Sequence, residues 1–269
     1  MNIFRRIIIR LSNYRLARRV ARNLRLHKIV NKYLEKFPIV KRLPHGTKYR
    51  ICRLESIPLA FEMFDKSVLY SADLLPRSFD TVADLGCNVG YFACWLADLA
   101  KGKTLKGILV DANPEAIKEA NWHMNANKIT EMLAMNGIVG EGKDGENADF
   151  YLYESNICST SHPPQDLKKK LDGKWEKISV PCLEIGKLWK LQFGETRCNV
   201  LKIDVEGSEL KFFQVERSFL ELCDTIFVEW HKWAVKFAQL KSILEANGFN
   251  YVKTLDENES MGTAVFRRL

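Results

Sequence analysis

Asp84-Leu85-Gly86-Cys87-Asn88-Val89-Gly90-Tyr91-Phe92, entered from Thr81-Val82-Ala83, decides the fold. Thr81 to Leu85 reads as a strand and Tyr91 to Leu99 as a helix, with a glycine turn between them. Glycine there permits positive φ and close approach of backbone to a ligand. The pattern is D-x-G-x-N-x-G, not the G-x-G-x-x-G that accepts a pyrophosphate at a helix start. Asp84 stands just before the turn, where a carboxylate repels pyrophosphate and suits an ammonium group. Asp111 closes the next strand, 21 residues after Gly90. An acid at that place accepts hydrogen bonds from ribose hydroxyls. The ligand these residues require carries a ribose and a positive charge and needs no phosphate cradle. S-adenosylmethionine meets that requirement and NAD meets it less well.

The second informative stretch is Leu201-Lys202-Ile203-Asp204-Val205-Glu206-Gly207-Ser208-Glu209-Leu210, preceded by Asn199-Val200. Period 2 puts Lys202, Asp204 and Glu206 on one side of a strand and Leu201, Ile203 and Val205 on the other. Unpaired buried charges are costly, so polar residues at a strand end mark a site or an ion pair. Glu209 reads most simply as a first-turn helix carboxylate.

Outward from these two stretches, strands and helices alternate. Strands are expected at Lys106 to Asp111, Met132 to Val139, Val200 to Val205 and Thr225 to Trp230. Helices are expected at Pro114 to Ala126, Glu184 to Lys190, Glu209 to Val215 and Ala234 to Ala246. Asp149 to Tyr153 alternates like an added β-ribbon, Ser155 to Trp175 is loop-like, and Tyr251 to Leu255 with Thr263 to Phe266 reads as a hairpin. Tyr49 to Leu54 and Pro58 to Tyr70 read as a strand and a covering helix. Such alternation implies an α/β fold, a mostly parallel sheet with helices on both faces. Asn136-Gly137 ends the third strand, where Asn136 is placed to read the amine edge of adenine.

Charge divides the chain. Residues 1–42 carry 13 Lys and Arg against Glu35 alone, a formal +12, so the rest of this +8 chain is mildly acidic. The domain division drawn from this is a basic helical arm over 1–45 and a catalytic body over 46–269. Three readings of the arm stand: a basic segment lying on an anionic membrane, an organelle presequence, or a solvated helical extension. Its longest apolar run, Ile7-Ile8-Ile9, is far short of the ~20 residues that span a bilayer. Seven scattered cysteines with no C-x-x-C pair disfavour a disulfide framework or zinc knuckle and fit a reducing, cytoplasmic compartment.

Taken together, Asp84 to Phe92, Asp111-Ala112-Asn113-Pro114 and Leu201 to Leu210 resemble the FkbM family of S-adenosylmethionine-dependent methyltransferases. The resemblance covers about residues 78 to 232; Cys87 stands where the family often has alanine. It implies a Rossmann-like seven-stranded sheet and O-methyl transfer to a hydroxyl of a sugar, glycan or other small acceptor. The cofactor residues it implies are Asp84, Gly86, Asn88, Gly90, Asp111 and Asn136. An alcohol is a poor nucleophile at neutral pH, so a base or a metal is expected. The candidates are Asp204 as base or acceptor-orienting group, His231 as alternative base, and Glu229 orienting one of them. Asp204, Glu206 and Glu229 are also a candidate oxygen set for Mg²⁺ or Ca²⁺, and Glu206 alternatively fixes the turn at Gly207. The alternative function is an RNA-modifying or nucleic-acid-binding protein using the arm. The mildly acidic body counts against nucleic acid, as does the absence of an N-P-P-Y type motif after the fourth strand.

Overall fold

The computed structural model describes residues 26–65, 70–153, 160 and 175–268. Most of the basic arm, and most of the expected 155–175 loop, lie outside the described residues. In chain order the elements begin with α1 (Leu26–Lys36), β1 (Ile39–Arg42), β2 (Lys48–Ile51) and α2 (Ser56–Ala60). The core alternation follows: β3 (Thr81–Leu85), α3 (Tyr91–Leu99), β4 (Lys106–Asp111), α4 (Pro114–Ala126) and β5 (Glu131–Asn136). Next come β6 (Ile138–Val139), β7 (Asn147–Tyr153), β8 (Trp175–Leu183), α5 (Ile185–Phe193), β9 (Cys198–Ile203) and α6 (Glu209–Val215). The chain closes with α7 (Arg217–Leu220), β10 (Cys223–His231), α8 (Phe237–Ala246), β11 (Phe249–Glu257) and β12 (Met261–Arg268).

The main sheet has seven strands in the order β11-β12-β10-β9-β3-β4-β5. Pairs from β10 through β5 are parallel, and the β10–β12 and β12–β11 pairs are antiparallel, so β12 alone runs opposite to the other six strands. Its strands alternate between two buried layers. Val82, Leu109, Val200 and Phe227 face one cluster with α3 and α4. Ala83, Ile108, Leu201 and Ile226 face the other with α5, α6 and α8. Burial on both faces explains why these strands read as apolar runs. From β3 the order runs outward to β4 and β5 on one side and to β9 and β10 on the other. The crevice beyond the carboxyl ends of β3 and β9 is therefore the place for a ligand.

Two expectations change. The single strand foreseen over Met132 to Val139 is two, because Gly137 turns the chain out of the main sheet; a Cβ there would lie 2.2 Å from Leu183 Cδ1. The short β6 joins β8 and β7 in a separate three-stranded sheet, so the ribbon at Asp149 to Tyr153 has a partner strand that sequence reading left unassigned.

The line between an arm over 1–45 and a body from 46 falls between β1 and β2, which pair with one another. Leu34 of α1 is fully buried, and Asn31 bonds both the Glu55 carboxylate and the Leu54 N–H. Residues from Leu26 onward are thus built onto the body. The tie is strongest at Arg50, whose guanidinium makes two bonds to Glu119 of α4, at 2.7 and 2.8 Å, and stacks on Trp122. Losing one partner of such a pair leaves a nearly buried carboxylate uncompensated. Arg50→Ala is expected to cost about 3 kcal/mol in denaturant unfolding, and Arg50→Lys less, since it keeps the charge but not the fork.

Candidate active site

Gly86 floors the site. Its φ is +74°, and a Cβ would stand 1.7 Å from the Asp204 carbonyl oxygen, so the turn after β3 can touch the end of β9 only as bare backbone. Asn88 sits at φ +49°, and its N–H donates to Asp111 Oδ2 at 2.8 Å. Asp111 Oδ1 accepts from the Asn113 N–H, also at 2.8 Å. Burial pushes the Asp111 carboxyl up to about 6, against the pull of these two bonds. Gly90 begins α3 in the left-handed conformation.

Beside this turn lies a cleft of about 660 Å³. Gly86, Asn88, Asp111, Ile138, Phe150 and Asp204 are among the residues that line it. Each Asp111 oxygen has one bond from backbone and keeps a lone pair for a hydroxyl. S-adenosylmethionine fits these residues: bare backbone at Gly86, a carboxylate for a ribose at Asp111, and apolar walls for a base.

Two expected cofactor residues take other roles. Asn136 does not reach the cleft; its Nδ2 donates to the carbonyls of Asp111 and Ala112, holding the strand end, while Gly137 and Ile138 supply the wall. Asp84 does face an ammonium, but a protein one. It is fully buried, stands opposite Lys202 in the β3–β9 register, and its Oδ1 lies 3.5 Å from Lys202 Nζ. Lys202 also bonds the Gly86 carbonyl at 3.1 Å and lies 3.5 Å from Asp204 Oδ2. Burial alone would lower the lysine; Asp204 and Asp84 outweigh it and hold the ammonium well above its ordinary range.

On the other side of Gly86 opens a chamber of about 1830 Å³. It shares Gly86, Asn88, Asp204 and Glu206 with the cleft and adds Lys202, Glu229 and His231. All three catalytic candidates therefore converge on one chamber. His231 donates from Nδ1 to Glu209 at 2.9 Å and from Nε2 to Glu206 at 3.1 Å. Burial opposes its charge, yet these two bonds raise it to about 12. An imidazolium so held has no lone pair with which to act as base. Glu209 stands in the first turn of α6 as expected, but it is also fully buried, and its pairing with His231 is what sequence reading missed. Nothing in its spacing announces this, because the contact crosses from α6 to β10. Glu229 is nearly buried and lies 3.8 Å from His231 Nε2. Burial first, then the neighbouring Asp204, raises its carboxyl to about 8.

The expected metal set of Asp204, Glu206 and Glu229 does not gather as such. Asp204, Glu206 and His231 come within 4.8 Å of one another. Yet both imidazole nitrogens are engaged as donors, and Lys202 already supplies a cation to Asp204. So engaged, the donor set does not fit a divalent ion.

A cleft holding Asp111 opens across Gly86 into a larger chamber lined by carboxylates, an arrangement that suits S-adenosylmethionine beside a second substrate. The Methyltransferase FkbM domain matches residues 84–251, well over half of the chain, and the chain belongs to that family. No curated protein matches by sequence. Among solved structures, the chain is similar to the Methanococcus jannaschii fibrillarin pre-rRNA processing protein at 13% identity and TM-score 0.49, covering 87% of this chain and 84% of that one. It is similar to methyltransferase FkbM from Methylobacillus flagellatus KT at 13% identity and TM-score 0.47, covering 74% and 47%. For M. jannaschii TYW2 in complex with AdoMet the values are 13%, 0.42, 86% and 87%.

The folded chain keeps the His231 proton up to about pH 12, whereas the unfolded chain releases it near 6.5. Its stabilisation is therefore whole below pH 6.5 and shrinks as pH rises. Thermal melts of the wild type and His231→Gln are expected to differ most at and below pH 6.5 and to draw together as pH rises toward 10.

Proposed function

We propose that this methyltransferase is an O-methyltransferase acting on a hydroxyl of a sugar, glycan or other small hydroxylated acceptor. The observation that carries the proposal is Glu229, a carboxylate raised to about 8 in the wall of the acceptor chamber. A base works best when its pKa lies near the operating pH. Bound S-adenosylmethionine would supply an electrophilic methyl group. Gly86, Asn88 and Asp111 would hold it, and Asp204, which lines both cavities, would orient the acceptor hydroxyl. Glu229 would take the proton that the hydroxyl loses as its oxygen is alkylated. The imidazolium of His231 holds Glu206 in place and leaves Glu229 as the proton acceptor.

With methyl-labelled S-adenosylmethionine and an accepted glycoside, kcat is expected to rise with pH and level off above about 8. Glu229→Gln is expected to lower kcat by about 10²–10⁴-fold, flatten that rise, and leave S-adenosylmethionine binding by calorimetry unchanged. A retained pH rise in the variant would assign the proton to another group.

The reading extends to a membrane surface through the +12 charge of residues 1–42. Since residues from Leu26 are built onto the body, the sharper test removes 1–25 only. Co-sedimentation with phosphatidylserine vesicles is expected to be lost on that deletion and weakened by salt. Equal sedimentation of both chains rejects the membrane role.

A further inference from the structure

Two unlike sets of residues line the acceptor chamber. One is apolar and mostly aromatic: Met63, Tyr70, Tyr91, Phe92, Trp175 and Trp233. The other is acidic: Asp204 and Glu206, with Glu62 also in the lining and Glu229 as a carboxyl that keeps its proton up to about 8. Cations are what an anionic acceptor would need, and among the described lining residues there are two. Lys202 is enclosed by Asp84, Asp204 and the Gly86 carbonyl. His231 is held between Glu206 and Glu209. Both are committed to carboxylates already inside the fold.

We infer that the acceptor is an uncharged or cationic hydroxyl compound carrying an apolar body, such as a glycoside with an aromatic or alkyl aglycone, and that phosphorylated and carboxylated acceptors are rejected. The inference rests on the methyl-transfer reading given above and narrows its substrate class. The physics is repulsion without compensation. A phosphate or carboxylate entering the chamber loses water, meets the carboxylates of Asp204 and Glu206, and finds no uncommitted cation among the described lining residues. At separations of a few ångströms such a contact is worth more than a tenfold change in affinity. The apolar residues favour the other end of the acceptor. Aromatic rings there offer flat faces to an aglycone or to the C–H face of a sugar, and area removed from water contributes about 25 cal/mol per Å².

A matched set of ligands isolates the two effects. 4-Nitrophenyl glucoside and 4-nitrophenyl glucuronide differ by a carboxylate, and methyl glucoside lacks the aromatic body. Calorimetric binding of each to the full chain saturated with S-adenosylhomocysteine is expected to favour 4-nitrophenyl glucoside by at least about tenfold over both others. Equal or tighter binding of the glucuronide, or no binding of 4-nitrophenyl glucoside, overturns the inference. Label transfer from methyl-labelled S-adenosylmethionine is scored separately on the same ligands. Selective binding without label on any hydroxyl would reject the O-methyl reading while leaving the charge selectivity standing. Label on the glucuronide at the rate of the glucoside would reject the selectivity while leaving O-methyl transfer standing.

Discussion

One buried ammonium organises the site. Lys202 sits in register with Asp84 across the central β9–β3 pair, and its Nζ reaches Asp84, Asp204 and the Gly86 carbonyl. That single group links the two central strands where the order of the sheet reverses. It also fixes the carbonyl of the glycine that floors the cofactor cleft. A lysine with no exposed ammonium is tolerated only with such partners, and its partners only with it. The charge network and the switch point of the sheet are therefore one structure.

A second internal cation completes the arrangement. His231⁺ lies between Glu206 and Glu209, and so joins the end of β10 to the turn after β9 and to the start of α6. With Lys202 and His231 both committed, the remaining carboxylates divide by environment. Asp204 is partly exposed and paired with Lys202, whereas Glu229 is nearly buried and holds its proton up to about 8. Burial thus raises Glu229, while Asp204 stays partly open to solvent beside Lys202. The same commitment of cations makes the chamber inhospitable to anions.

Much of this was legible in the chain. The glycine turn, Asp111 and the strand at Leu201 to Ile203 announced the α/β order and the edge at which the site lies, because glycine tolerance and apolar runs are local properties. Asp204, Glu229 and His231 were correctly gathered at one sheet edge, since strand ends define it. Their roles were not legible. His231 looked like a base until Glu209, 22 residues away, was found at its Nδ1. Asn136 looked like an adenine reader until its amide was found on the carbonyls of its own neighbourhood. The strand at Trp175 to Leu183 was invisible because its partner, β7, is separated from it by a long intervening segment.

The sequence by itself determined the class of fold, the order of the central elements, and Asp111 at the cleft, because these follow from periodicity and from residue types with few backbone alternatives. Only the tertiary structure decided which ionisable group faces which. Proton affinity depends on burial and on charges brought together from distant strands: Asp84 against Lys202, His231 against Glu206 and Glu209, Glu229 near Asp204. Those neighbours are set by the register of the sheet, and no local stretch of chain contains them.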